Sequence, residues 1–161
     1  MKNRRRKPRK LDRTDRLILK HLQEDGRISN DSLAKKVNLS ATPCHERVRR
    51  LERNGYIRGY TALLDPGMVE AGLLVFVEID LLRTSPDAFR DFRRQATKLP
   101  ELLECHLVSG NFDYLLKARV RDMQEYRRLL GEKILALPGV SDSRSYVVME
   151  EVKESTVLPV L

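Results

Sequence analysis

Two Cys-His neighbours, Cys44-His45 and Cys105-His106, are the residues best suited to nucleophilic or metal chemistry in this chain. Neither pair has the geometry for it. The first falls in a helical pattern, where adjacent side chains point about 100° apart. The second falls in a strand pattern, where adjacent side chains point to opposite faces. No GxGxxG, P-loop, HExxH or CxxC spacing accompanies them. The cysteines lie one in each half of the chain and suggest no disulfide framework. The sequence is therefore read as a non-enzyme with no cofactor and no metal.

The residues that remain are cationic. Five arginines fall between positions 47 and 58, and residues 1–10 add seven Lys/Arg. Residues 1–60 hold 18 Lys/Arg against 7 Asp/Glu, whereas residues 61–161 hold 13 against 16. A basic front on a mildly acidic back points to a polyanion partner for the front. No apolar run approaches the roughly 20 residues of a membrane helix. The basic start lacks the apolar stretch of a signal peptide, so the cytoplasm is the expected compartment and no membrane partner is expected.

The elements that must position those arginines are three helices. Residues 1–10 have one proline and no long apolar side chain to bury after Met1 and are read as a disordered basic arm. A first helix starts near Asp12, with Asp15 three residues on and Leu17, Ile18 and Leu22 as its apolar face; Gly26 stops it. A second starts at Ser29, with Ile28 and Leu33 at staple spacing and Leu33, Ala34 and Val37 buried. Asn38 suits a left-handed turn. A third starts at Ser40 with Pro43 in its first turn and Cys44, Val48 and Leu51 facing the core. "NG" at 54–55 ends it.

That is the order of a helix-turn-helix, whose last helix enters the major groove. Thr42, His45, Glu46 and Arg49 lie off the core face and are the candidates for base edges. Arg49 suits a guanine; Glu46 suits a cytosine or an ion pair with Arg49 or Arg50. Arg47, Arg50 and Arg53 suit phosphates or flanking salt bridges, and the Ser40 end leaves backbone N–H groups for a phosphate.

After a Pro/Gly-containing joint the pattern changes to β-α-β-β-α-β. Val75, Val77, Ile79 and Leu81 alternate with Phe76, Glu78 and Asp80 in a first strand. Ser85 and Pro86 open a helix carrying Phe89, Phe92, Ala96 and Leu99. "LPELLECHLVSG" (99–110) gives a turn and a second strand, joined by a tight turn around Gly110-Asn111 to a third over 111–120. A helix from Asp122 turns Met123, Tyr126, Leu130, Ile134 and Leu137 inward, and "SRSYVVMEEV" is the last strand. This is a ferredoxin-like order. Its crossover helices share one face of the sheet. The other face, carrying Phe76 with Leu107, Tyr114 or Leu116, and Tyr146 or Val148, is expected to be covered by a second copy. The apolar tail "STVLPVL" is expected to cap a neighbour's edge strand. Gly110, Asn111 and Asp113 either hold an amino acid's charged groups or are only a hairpin connection.

The stretches "SATPCHERVRRLE" (40–52) and "VSGNFDYLLK" (108–117), with 11–66, 73–79, 104–132 and 137–153, closely resemble the leucine-responsive regulatory protein family, the feast/famine transcription regulators. The resemblance implies an α+β protein: an N-terminal helix-turn-helix domain, a hinge strand, and a C-terminal ferredoxin-like βαββαβ domain. The boundaries expected are a 1–10 arm, an 11–60 DNA-binding domain, a 61–72 hinge, a 73–153 effector-binding and oligomerisation domain, and a 154–161 tail. It implies regulation of amino-acid metabolism genes on imperfect palindromic double-stranded DNA, with homodimers assembling to octamers in the nucleoid-associated cytoplasm. It implies an amino-acid effector, leucine or another branched-chain amino acid, at Gly110, Asn111, Asp113, Tyr114 and Met123, with Ser143 and Arg144 beside the last strand. An effector-independent, DNA-wrapping architectural protein is the alternative.

Overall fold

The computed structural model describes residues 10–160; the basic arm, apart from Lys10, lies outside them. The order is α1 (Arg13–Glu24), α2 (Asn30–Lys36), α3 (Ala41–Arg53), β1 (Leu73–Leu81), α4 (Pro86–Ala96), β2 (Leu102–Leu107), β3 (Tyr114–Val120), α5 (Met123–Arg128) and β4 (Val140–Val147). Two compact units form. One contains the described residues up to Leu63 with those from Glu154 onward, and the other is Leu64–Lys153. No helix among the described residues is long and apolar enough to cross a membrane.

In the first unit α1 opens on a reciprocal cap. Asp15 N–H donates to Asp12 Oδ1 at 2.8 Å, and Asp12 N–H donates to Asp15 Oδ2 at 3.3 Å. Ser29 caps α2 by accepting the Ser32 N–H at 3.2 Å. Ile18, Leu33, Ala34, Val37, Cys44 and Leu51 form the core, ringed by Leu11, Leu19, Leu22, Ile28, Leu39, Val48, Tyr56 and Ile57. Leu17 is a correction: it is exposed, and Leu19 packs in its place. With 3.6 residues per turn, a face centred on Ile18 and Leu22 leaves position 17 off the stripe.

Asn38 takes a φ of 54° and turns the chain between α2 and α3. Gly55, at φ 76°, ends α3. Gly55 N–H reaches Glu52 O at 2.9 Å and Tyr56 N–H reaches Leu51 O at 3.0 Å, the paired bonds of a Schellman ending. Beyond it, residues 58–65 join no ladder, so the expected hinge strand is unpaired in the single chain.

In the second unit the four strands lie in the order β2-β3-β1-β4, every neighbour antiparallel. The sheet has the ferredoxin-like arrangement. Register places Tyr114 opposite Ile79 and Leu116 opposite Val77, so all four face the helices. There they meet Phe92, Ala96, Tyr126, Leu129, Ile134 and Leu137 in one core. Phe92 stacks on Tyr114 with centroids 4.3 Å apart. The far face carries Phe76 between Lys117 and Tyr146, and Glu78 between Leu115 and Arg144.

Three boundaries differ from the sequence expectation. β3 starts at Tyr114, so its connection to β2 spans 108–113 rather than a tight turn. β4 starts at Val140 and ends at Val147. The second helix is not one α-helix: α5 runs on into a π-helical turn, Leu129–Ile134. The wider turn buries Leu129 and carries the stripe on to Ile134, five residues later. Met123, expected inward, is 48% exposed.

In the single chain the tail bonds to α1. Gln23 Nε2 donates to Leu158 O at 3.0 Å and Gln23 Oε1 accepts Leu158 N–H at 2.7 Å. Both main-chain groups of Leu158 are thus engaged by α1 of the same chain.

Candidate nucleic-acid interface and effector turn

α3 is seated by its apolar side. Cys44 and Leu51 are buried and Val48 packs beside them. Burial pushes the Cys44 thiol above its usual range, which suits a core filler rather than a nucleophile. Asn30 Nδ2 donates to Ala41 O at 2.9 Å and ties the start of α3 to α2. Ser40 occupies the N-cap position, but its side chain makes no capping bond.

The opposite side of α3 is open. Thr42, His45, Glu46, Arg49 and Arg53 are all exposed and line one concave surface with Pro43, Arg47 and Arg50. The structure thus brings together every α3 residue predicted for base edges. It treats the arginines unequally. Arg47 Nη1 donates to Asp12 Oδ2 at 2.6 Å and to Asp15 Oδ1 at 2.8 Å. Arg50 Nη2 donates to Asp15 Oδ1 at 2.6 Å and Oδ2 at 2.8 Å. Arg50 therefore pairs with α1, not with Glu46. The Arg47 hydrogen bond holds the Asp12 carboxyl below its usual value, and Asp12 in turn raises Arg47. Glu52 accepts the Tyr60 hydroxyl at 3.0 Å. Burial, with that carboxylate, pushes the Tyr60 phenol up to about 12.

Sequence reading missed that Asp15 is buried, at 3% exposure. Its position in the cap was legible; its partners 32 and 35 residues away were not.

In the second unit Gly110 and Asn111 are exposed in the 108–113 connection. Asp113 is built into the sheet: its N–H donates to Ile79 O at 2.9 Å, its carbonyl accepts Val108 N–H at 3.0 Å, and its Oδ2 accepts Leu81 N–H at 2.8 Å. Ser143 lies opposite Ile79 and Arg144 opposite Glu78, both at the turn's end of β1 but on opposite faces: Ser143 shares the helix side with Ile79, and Arg144 shares the far face with Glu78. Tyr114 does not join them. Its ring is 1% exposed and its hydroxyl lies 3.4 Å from Phe89 O on the helix side; strand alternation turns it away from the open face. Met123 is also apart. It follows Val120, which pairs with Leu73 at the other end of the sheet, and a strand of this length separates the ends by roughly 20 Å. Cys105 lies opposite Leu116 and His106 opposite Leu115, on opposite faces, and His106 Nε2 instead lies 2.9 Å from Glu104 Oε2.

A three-helix unit with an exposed basic last helix, joined to a ferredoxin-like unit, defines the class of two-part DNA-binding regulators. Comparison narrows it. Residues 11–58 match a winged helix-turn-helix DNA-binding model, and residues 74–158 match the Lrp/AsnC ligand binding domain. Over 145 residues the chain is 66% identical to the leucine-responsive regulatory proteins of Escherichia coli K12 and Salmonella typhimurium, covering 90% of this chain and 88% of each relative. A transcriptional regulator from Neisseria meningitidis, solved as an L-Met complex, superposes with a TM-score of 0.89 at 41% identity, covering 93% of this chain and 97% of that one. An AsnC family regulator from Agrobacterium tumefaciens superposes at 0.88 with 39% identity, covering 92% and 97%. The chain belongs to the Lrp/AsnC family of helix-turn-helix transcription regulators.

Proposed function

We propose that this protein regulates amino-acid metabolism genes from the cytoplasm, on the nucleoid, by reading imperfect palindromic DNA as a dimer under the control of an amino acid. The exposed row Thr42, His45, Glu46, Arg49 and Arg53, over a fully seated apolar side, carries the reading. Ser40 and the first-turn N–H groups of α3 offer a phosphate site. Two-fold symmetry would set paired α3 helices about 34–36 Å apart on successive major grooves.

The effector reading rests on Gly110, Asn111 and Asp113 with Ser143 and Arg144 at one end of β1. The match to a ligand-binding domain and the L-Met complex of a similar protein support an amino acid there; leucine or another branched-chain amino acid is the favoured one. Met123 lies too far along its own sheet to share that site, so a role for it requires a neighbouring subunit. The far face of the sheet, with Phe76 and Tyr146 partly open, suits a second copy, and dimers assembling to octamers complete the proposal.

Electrophoretic mobility shift on the upstream DNA of the protein's own gene tests it, with leucine, isoleucine, valine, alanine, lysine, proline, arginine and glutamate added singly. A shift altered by one of them is expected and names the effector. A strong shift indifferent to all of them favours an architectural protein and removes the turn from the proposal.

A further inference from the structure

We infer that Asp15 is a positioning residue of the DNA interface: it draws Arg47 and Arg50 back against α1, so that α3 turns only Arg49, toward a base edge, and Arg53, toward a phosphate, to the DNA rather than four arginines. The inference rests on α3 being the DNA-facing helix and refines how that helix is charged.

Asp15 sits inside the first unit with its side chain 5% exposed. A carboxylate so placed needs hydrogen-bonded cations to offset the loss of water. It receives two. Arg50 bonds both carboxylate oxygens, and Arg47 bridges Asp15 to Asp12. These are charge-assisted bonds of 2.6–2.8 Å. Two guanidinium groups and two carboxylates sum to no net charge. Asp15 also accepts the Asp12 N–H in the α1 cap, so the same side chain fixes the start of α1 and the middle of α3. Arg47 and Arg50 line the concave surface with Arg49 and Arg53, but their guanidinium ends are turned toward α1.

A phosphate contact reveals itself by counterion release. The slope of log affinity against log salt changes by about 0.9 for each phosphate neutralised on duplex DNA. A residue that only stabilises the fold shifts the melting temperature and leaves that slope alone. The neutral cluster therefore adds nothing to the slope, whereas Arg53 on a phosphate adds about 0.9. Releasing the cluster frees cations for any DNA sequence, raising non-specific affinity and lowering the ratio of specific to non-specific binding.

The test measures the salt slope of the full-length protein on a specific duplex and a scrambled one. Asp15→Asn should steepen the slope by about 1–2 and tighten scrambled-duplex binding several-fold at low salt. Arg47→Met and Arg50→Met should leave it unchanged, and they carry the test should Asp15→Asn fail to fold, as judged by circular dichroism and thermal melting. A folded Asp15→Asn protein with the wild-type slope, or a loss of about 0.9 in Arg47→Met or Arg50→Met, overturns the inference. Arg53→Met is the separate check on the α3 face. If it leaves the slope unchanged, the face assignment fails; a steeper slope in Asp15→Asn would still support the clamp.

Discussion

The carboxylate of Asp113 accepts the backbone N–H of Leu81 at 2.8 Å. One oxygen of the residue best suited to meet an effector's ammonium is thus already stitching the end of β1 to the turn before β3. Structural and ligand roles are superimposed on one side chain, and alanine removes both at once. Asp113→Ala should destabilise the second unit by about 1.5–3 kcal/mol, as expected for a hydrogen bond to a charged group, measured by urea unfolding. Asp113→Asn keeps an acceptor for Leu81 while removing the charge. It should recover most of the stability and still lack the effector response in a mobility shift. A normal response from Asp113→Asn takes the carboxylate out of the ligand site.

Arg49 is exposed on α3 in the row with Thr42, His45 and Glu46, and its guanidinium appears in none of the Asp12–Asp15 bonds. Arg49→Ala should weaken binding to the specific site by about 1–3 kcal/mol and relax preference at one position of each half-site. Equal losses on specific and scrambled duplexes would make Arg49 a phosphate contact instead.

Local rules carried much of the fold into the sequence. The caps at Asp12, Ser29, Ser85 and Asp122 were legible because a short polar side chain before an apolar-periodic run has one cheap use. The α3 surface followed from Cys44, Val48 and Leu51, since one seated stripe leaves only one open side. What was hidden is non-local. Whether Tyr114 or Leu115 faces the helices depends on register against β1, and a slip of one residue reverses it. The π turn after Arg128 has no local signal, so a 3.6-residue stripe overlooked Leu129. Which of the two uses read for Arg47 and Arg50, phosphate or salt bridge, the single chain adopts was hidden for the same reason: the carboxylates that pair with them lie at the start of another helix.

The Arg47 hydrogen bond holds the Asp12 carboxyl below its usual value of 3.8. A carboxylate with a depressed folded pKa stabilises the fold above its unfolded pKa, and that contribution fades as pH falls through the folded one. The first unit should therefore lose stability below about pH 4, with Asp12 being protonated as the Arg47 contact is lost. Arg47→Met should flatten that part of the stability profile, read by thermal melting from pH 6 down to pH 2.5. An unchanged acid limb in the variant would show that Asp12 gains nothing from Arg47 in solution.

Gln23 and Leu158 are 135 residues apart in sequence and joined by two hydrogen bonds, at 2.7 and 3.0 Å. A side-chain amide that both donates to and accepts from one residue imitates a single rung of a β-ladder. The side chains of Val157 and Leu158 add little to that docking, being 52% and 71% exposed. Two partly exposed bonds of about 0.5–1.5 kcal/mol each are enough to populate the docked tail without locking it. Gln23→Ala should raise hydrogen exchange at the Leu158 amide to the rate of an unstructured chain and speed tryptic cleavage after Lys153. Gln23→Glu keeps the acceptor for Leu158 N–H and loses the donor, so it should fall between. The α1 cap at Asp12 and Asp15 lies at the other end of the helix, and exchange there should not change. A Leu158 amide that exchanges equally fast in the wild-type protein would mean the tail is not docked in solution.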